Sequence, residues 1–145
     1  MNPKQTSTVG FVVTVIALVT LVFRESILAA GYVAIAVQLL AALLMVWARI
    51  AFGRRSFHAA ANPTEGGLMT IGPYHYLRHP IYASIIYFLW AGVASHISLV
   101  NTLLAAIATM GLFMRIFAEE RLLMDRYPDY AEYASRTKRI IPFVL

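Results

Sequence analysis

Two short constellations hold most of the side chains in this sequence that could do chemistry. The first is Ile71–Ser84, IGPYHYLRHPIYAS, with three tyrosines, two histidines and an arginine. Gly72-Pro73 marks a turn. His79 precedes a proline, which pushes its backbone toward extended geometry, and Pro80 suits the first position of a helix. Free amides at such a helix start form a ready anion site, with Tyr74, His79 and Tyr82 gathered around it. The same residue types also anchor chains at membrane interfaces, so composition leaves both readings open. The second constellation is Arg115–Glu120, RIFAEE. Arg115 and Glu119 share a helix face at a spacing of four, at the edge of an apolar run where an ionisable group is a candidate for function. The alternative is a snorkelling arginine paired for helix stability. Glu119 and Glu120 together are costly beside apolar residues unless something cationic sits there.

These residues need helices to carry them, and the composition says that the helices lie in lipid. Of 145 residues 60% are hydrophobic and 13% charged, and the mean hydropathy is +0.69. Soluble domains carry about 25% charged residues. The formal charge of +5 comes from basic residues beside apolar runs, which points to an anionic lipid surface and away from nucleic acid. With no cysteine, a disulfide framework, a cysteine metal site and a thiol nucleophile are excluded. His58 and His75 lack metal-ligand spacing with any carboxylate, and Gly66-Gly67 has no phosphate-loop context.

Crossing the hydrocarbon takes about 20 apolar residues. Four runs approach that length: 6–23, 27–48, 81–94 and 99–118. The expected fold is therefore an all-α, integral membrane bundle of about four helices in a single domain, 1–145. The first run reads as a retained span and not a signal peptide. Arg24-Glu25-Ser26 and Ser95–Ser98 read as tight helical hairpins. The middle loop, 53–80, carries Arg49, Arg54, Arg55 and Arg78 at or near it, and the second hairpin carries no lysine or arginine. The positive-inside rule then places the loop and both termini in the cytoplasm. The tail, 119–145, continues the last helix to about Tyr127 and breaks at Pro128. A short amphipathic helix is expected next, its tyrosines at 127, 130 and 133 on the membrane surface and Arg136, Lys138 and Arg139 on headgroups.

The motifs now in hand resemble a known family. GPYHYLRHPIYAS is similar to the GPYRYxRHPxYxG signature of isoprenylcysteine carboxyl methyltransferases, to which phospholipid N-methyltransferases are related. RIFAEERLL followed by YPDYAEYASRTKRIIP resembles that family's C-terminal pattern. The likeness runs from about Gly66 to Pro142. It implies a membrane-embedded enzyme that transfers a methyl group from S-adenosylmethionine to a carboxylate, thiol or amine of a lipophilic or small acceptor, without a metal. By position it implies that Gly66, Gly67, Leu68, Met69, Tyr74, His79, Pro80, Ile81, Tyr82 and Glu119 hold the cofactor, and that Arg115 serves the substrate side. Ser84 departs from the family's glycine, Tyr127-Pro128 from its Phe-Gly, and fuller members have more spans. Integral-membrane sterol reductases share an RHPxY-like segment but bind NADPH, and a non-enzymatic membrane adaptor is the remaining alternative.

Overall fold

In the computed structural model, residues 2–53, 67–142 and 144 are described. Arg54, Arg55, His58, Gly66 and Phe143 lie outside them. The helices are α1 (Pro3–Phe23), α2 (Tyr32–Phe52), α3 (Pro80–Ser95), α4 (Leu99–Arg126) and α5 (Tyr130–Arg136), with a 3-10 turn at Gly72–His75. A parallel bridge, Leu77 to Lys138, is the extended pairing among the described residues. The molecule is thus an all-helical membrane bundle.

Local chemistry sets the helix starts. Asn2 caps α1 in a reciprocal box with Gln5. Pro80 occupies the first turn of α3, and the Ser98 hydroxyl accepts from Asn101 N at the start of α4. Three helices, α1, α2 and α4, are long and apolar enough to cross a membrane. α3 has 16 residues, shorter than a full span. α4 has 28 residues, about 42 Å at 1.5 Å per residue, so its last turns project beyond a hydrocarbon layer of ~30 Å. Ile16, Leu39, Leu40 and Leu43 lie on the open outer surface, where lipid tails take the place of a protein core. The chain is a multi-pass integral membrane protein.

The pairing of helices differs from a chain of simple hairpins. α1 packs on α4 and α2 on α3. The α1–α4 crossing is made by small residues. Ser7, Gly10, Thr14 and Ala17 are buried on α1, facing Ala105, Ala108 and Gly111 on α4. A Cβ on Gly10 would stand 2.5 Å from Gly111 O. Thr14 Oγ1 donates within α1 to Gly10 O (2.8 Å) and across to Ala108 O (3.2 Å). Without a hydrophobic drive in lipid, such close backbone approach is what holds helices together.

The expected hairpin at Arg24–Ser26 is replaced by a longer connection, and α2 begins at Tyr32 instead of 27. Gln38 is the reason. Its side chain donates to Ile27 O (2.7 Å) and Phe88 O (3.0 Å) and accepts from Ala29 N (2.9 Å), which holds 27–29 out of the helix. Gly92 lets this connection lie against α3, since a Cβ there would stand 2.2 Å from Ile27 O.

Candidate functional site

The two chemical constellations meet. The 3-10 turn projects Tyr74 inward, beside Phe52 (ring centroids 5.4 Å apart). Gly72 makes the turn possible twice over. Its φ is +60°, and a Cβ would meet Ala51 Cβ at 3.1 Å and Trp47 Nε1 at 3.3 Å. Pro80 then starts α3, putting His79 and Tyr82 opposite the last turns of α4.

Glu119 and Glu120, adjacent on α4, serve different partners. The Tyr82 hydroxyl donates to Glu119 Oε1 and accepts from Arg115 Nε at 3.1 Å. Arg115 Nη2 lies 3.8 Å from Glu119 Oε1, and its guanidinium covers the Phe11 ring at 5.1 Å. His79 Nδ1 is 3.8 Å from Glu119 Oε2. The Glu119 side chain remains 25% exposed, toward the space between these groups. Glu120 is turned away and buried among bases: Arg78 Nε at 3.0 Å, Arg139 Nη2 at 3.0 Å and His79 Nε2 at 3.5 Å.

Arg139 therefore does not rest on headgroups, as its place in a basic tail suggested. It points inward, because a buried carboxylate needs counter-charge more than an exposed surface does. The tail after α5 is strapped to the RHP segment. Arg78 N donates to Lys138 O (2.7 Å), His79 N to Arg139 O (3.1 Å) and Lys138 N to Tyr76 O (3.2 Å). The amide of His79 is thus already used. Tyr130 and Tyr133 are buried too, so they form no stripe on the membrane surface. The Tyr133 hydroxyl donates to Tyr74 O at 2.7 Å. Burial pushes Tyr133 up to about 12 and also raises Tyr74 and Tyr130, so all three stay neutral at physiological pH.

A cavity of about 330 Å³ lies between these elements, within the roughly 300–1,000 Å³ usual for small-molecule pockets. Gly67, Leu68, Met69, Tyr74, His79, Ile81, Tyr82, Arg115 and Glu119 all line it. Pro80 is buried behind the wall as the first residue of α3, and Gly66 lies outside the described residues. Sequence reading missed a whole wall: Phe11, Thr14, Val15 and Leu18 of α1. The signal that could have exposed it is the small-residue stripe at 7, 10, 14 and 17, which commits α1 to a close helix partner. Arg49 and Arg78 also border the cavity. One end is thus carboxylate, imidazole and phenol; the other, between Phe11, Val15, Leu18, Ile85 and Leu112, is hydrocarbon. Among the described residues no group of three or more His, Cys, Asp or Glu side chains is placed to hold a metal ion.

Over 74 residues the chain is 38% identical to methanethiol S-methyltransferase 1 of Bradyrhizobium diazoefficiens, covering 48% of this chain and 24% of that protein. Over 76 residues it is 34% identical to the cobalt-zinc-cadmium resistance protein CzcN of Cupriavidus metallidurans, covering 52% of this chain and 35% of that protein. The matches thus span about a quarter to a third of those relatives. No solved structure matches. Residues 30–125 match the sequence model of the isoprenylcysteine carboxyl methyltransferase (ICMT) family, about two thirds of the chain, and the protein belongs to that family.

Proposed function

We propose that this chain is a membrane methyltransferase that takes its methyl group from S-adenosylmethionine and delivers it to a lipophilic or small acceptor. The observation that carries the reading is the cavity where the RHP segment and the Glu119 face of α4 meet. Its contents fit the cofactor's chemistry. Glu119 offers a partly exposed carboxylate to an ammonium, and the aromatic faces of Tyr74 and Tyr82 suit a cation or a flat base. Gly67, Leu68 and Met69 border the same space, and Ile81 packs beside it.

When bound, the sulfonium supplies an already activated methyl group. The protein's part is alignment, since reacting atoms must approach to about 3–3.5 Å. Arg115, fixed by Tyr82 and Glu119 at the neck between the polar and apolar ends, is suited to orient an anionic acceptor. A carboxylate acceptor is ionised at neutral pH, whereas a thiol or amine must first lose a proton. The thiol in the name of the Bradyrhizobium relative keeps that class among the candidates. The apolar end would take the acceptor's hydrocarbon part. The cavity mouth and both termini would face the cytoplasm, on the side of the basic residues.

Titration calorimetry on purified protein in detergent tests this reading. Wild type binds S-adenosylmethionine and not NADPH. Glu119→Ala lowers the affinity about 10- to 100-fold, the value of a hydrogen bond to a charged group. Arg115→Lys keeps the cofactor affinity within about threefold and depresses turnover. Membranes carrying the protein with labelled methyl donor then identify the product as ester, thioether or methylated amine. Wild-type protein without affinity for the methyl donor would end the reading, and NADPH binding would favour a reductase.

A further inference from the structure

Glu119 and Glu120 are neighbours on α4 with unequal cover. Glu120 has Arg78, Arg139 and His79 at 3.0–3.5 Å, and Arg139 Nε reaches both of its oxygens, at 3.2 and 3.0 Å. Its side chain is 6% exposed. Glu119 accepts one hydrogen bond among the described residues, from the Tyr82 hydroxyl. Arg115 Nη2 stops at 3.8 Å from it, well beyond the ~2.7–2.9 Å of a hydrogen-bonded ion pair. Yet Arg115 stands one turn before Glu119 on the same helix, within its reach. It is also 5% exposed, where little water weakens the attraction. The guanidinium is held back.

The restraint comes from α1. Ser7, Gly10 and Phe11 share one helix face at spacings of three and four, and each meets a different part of Arg115. A Cβ on Gly10 would stand 3.2 Å from Arg115 Cγ and 3.1 Å from Met114 Cβ, so the α1 backbone presses on the stem. Arg115 Nη1 points at Ser7 O in a long contact of 3.5 Å. The guanidinium lies over the Phe11 ring at 5.1 Å, while Nε donates to Tyr82 Oη at 3.1 Å. Phe11, Arg115 and Glu119 all border the cavity. None of the three α1 residues belongs to the motifs that mark the site in the sequence, and all three precede the stretch that matches the family, 30–125.

We infer that the face of α1 made by Ser7, Gly10 and Phe11 is a positioning element for the ligand: it holds Arg115 off Glu119 and so keeps that carboxylate open to the cavity, for the ammonium of the S-adenosyl compound. Without the ring, the guanidinium swings onto Glu119 and takes the place of the ligand's cation. The inference deepens the methyltransferase reading and rests on it.

Phe11→Leu, Phe11→Tyr, Arg115→Met and the double variant Phe11→Leu with Arg115→Met test it. Each is purified in detergent and compared with wild type by calorimetry with S-adenosylhomocysteine and by thermal unfolding of the ligand-free protein. Phe11→Leu keeps the wall apolar and removes the ring. Affinity falls about three- to thirtyfold, the worth of a cation–π contact, while the ligand-free midpoint stays level or rises, because a closed ion pair replaces the lost contact. Phe11→Tyr keeps a ring under the guanidinium and stays within about twofold of wild type. In the Arg115→Met background Phe11→Leu changes affinity by less than about twofold, since no guanidinium is left to release. Wild-type affinity in Phe11→Leu overturns the inference while the methyltransferase reading stands. So does an equal loss of affinity in both backgrounds, which marks the ring as plain wall. Absence of any binding by wild type removes both together.

Discussion

The bundle has two polar ends, and they handle buried polar groups in opposite ways. At the end away from the cavity, Asn101 accepts from Arg24 Nε (2.7 Å) and donates to Ser26 Oγ (2.9 Å) and His96 O (2.7 Å). The Ser95 hydroxyl donates to Ala30 O (2.9 Å), and the His96 ring reaches Leu28 O (3.0 Å). Gln38 completes the set with three bonds to backbone. These groups spend their capacity on the 24–31 connection, the α3–α4 turn and, through Gln38 to Phe88 O, the backbone of α3. At the other end the groups are charged, they surround a cavity, and the Glu119 side chain stays 25% exposed. A polar cluster whose valence is filled by its own loops is scaffold. One that keeps a carboxylate partly exposed toward a hollow is equipped to receive something.

Glu120→Ala gives the largest effect expected from this contrast. It strips the shared counter-ion from Arg78, Arg139 and His79 while leaving those bases half-buried or buried. Breaking a buried pair from one side costs about 3–5 kcal/mol, discounted somewhat because Arg139 is a third exposed. The ligand-free protein should melt well below wild type. Limited proteolysis should cut first after α4, where the strap is no longer held. An unchanged midpoint would mean that the backbone bonds at 76–79 and 138–139 hold the tail without help from Glu120.

Gln38→Leu probes the opposite end and should be milder. It leaves Ile27 O, Ala29 N and Phe88 O to find other partners, at about 1–3 kcal/mol, with affinity for S-adenosylhomocysteine unchanged. Loss of affinity from this distant substitution would break the division into scaffold and site, because it would make the two ends one coupled unit.

What could be read from sequence follows the same division. Tyr74, His79, Tyr82, Arg115 and Glu119 were legible because turn chemistry and helical spacing place them, and both act over a few residues. The apolar runs were legible because lipid leaves the backbone no choice but helix. The α1 wall was not, since which helix faces α4 depends on a pairing about 100 residues apart in sequence. Arg139 was misread because a tail arginine looks like a headgroup anchor until the buried Glu120 is seen opposite it. The start of α2 was misplaced because the apolar run begins at Ile27, and hydropathy does not show that Gln38 reaches back to 27–29. Gln38 is the clasp that keeps 27–29 out of the helix.

The smallest expected effect sharpens the comparison within α5 itself. Glu132 and Arg136 form an i,i+4 pair at 3.4 Å with side chains 74% and 69% exposed. Exposed pairs of this kind contribute about 0.3–0.5 kcal/mol. α5 has only seven residues, too few to be stable alone, so an internal pair cannot be what maintains it. Its place is set from inside, by Tyr133 on Tyr74 O and by Arg78 Nη1 donating to Ala134 O and Thr137 O. Glu132→Ala should therefore shift neither the unfolding midpoint beyond about a degree or two nor ligand affinity beyond twofold. A larger loss in ligand affinity would mean that α5 is held in part by its own surface charges, and that the strap contributes less to the cavity wall than its buried bonds indicate.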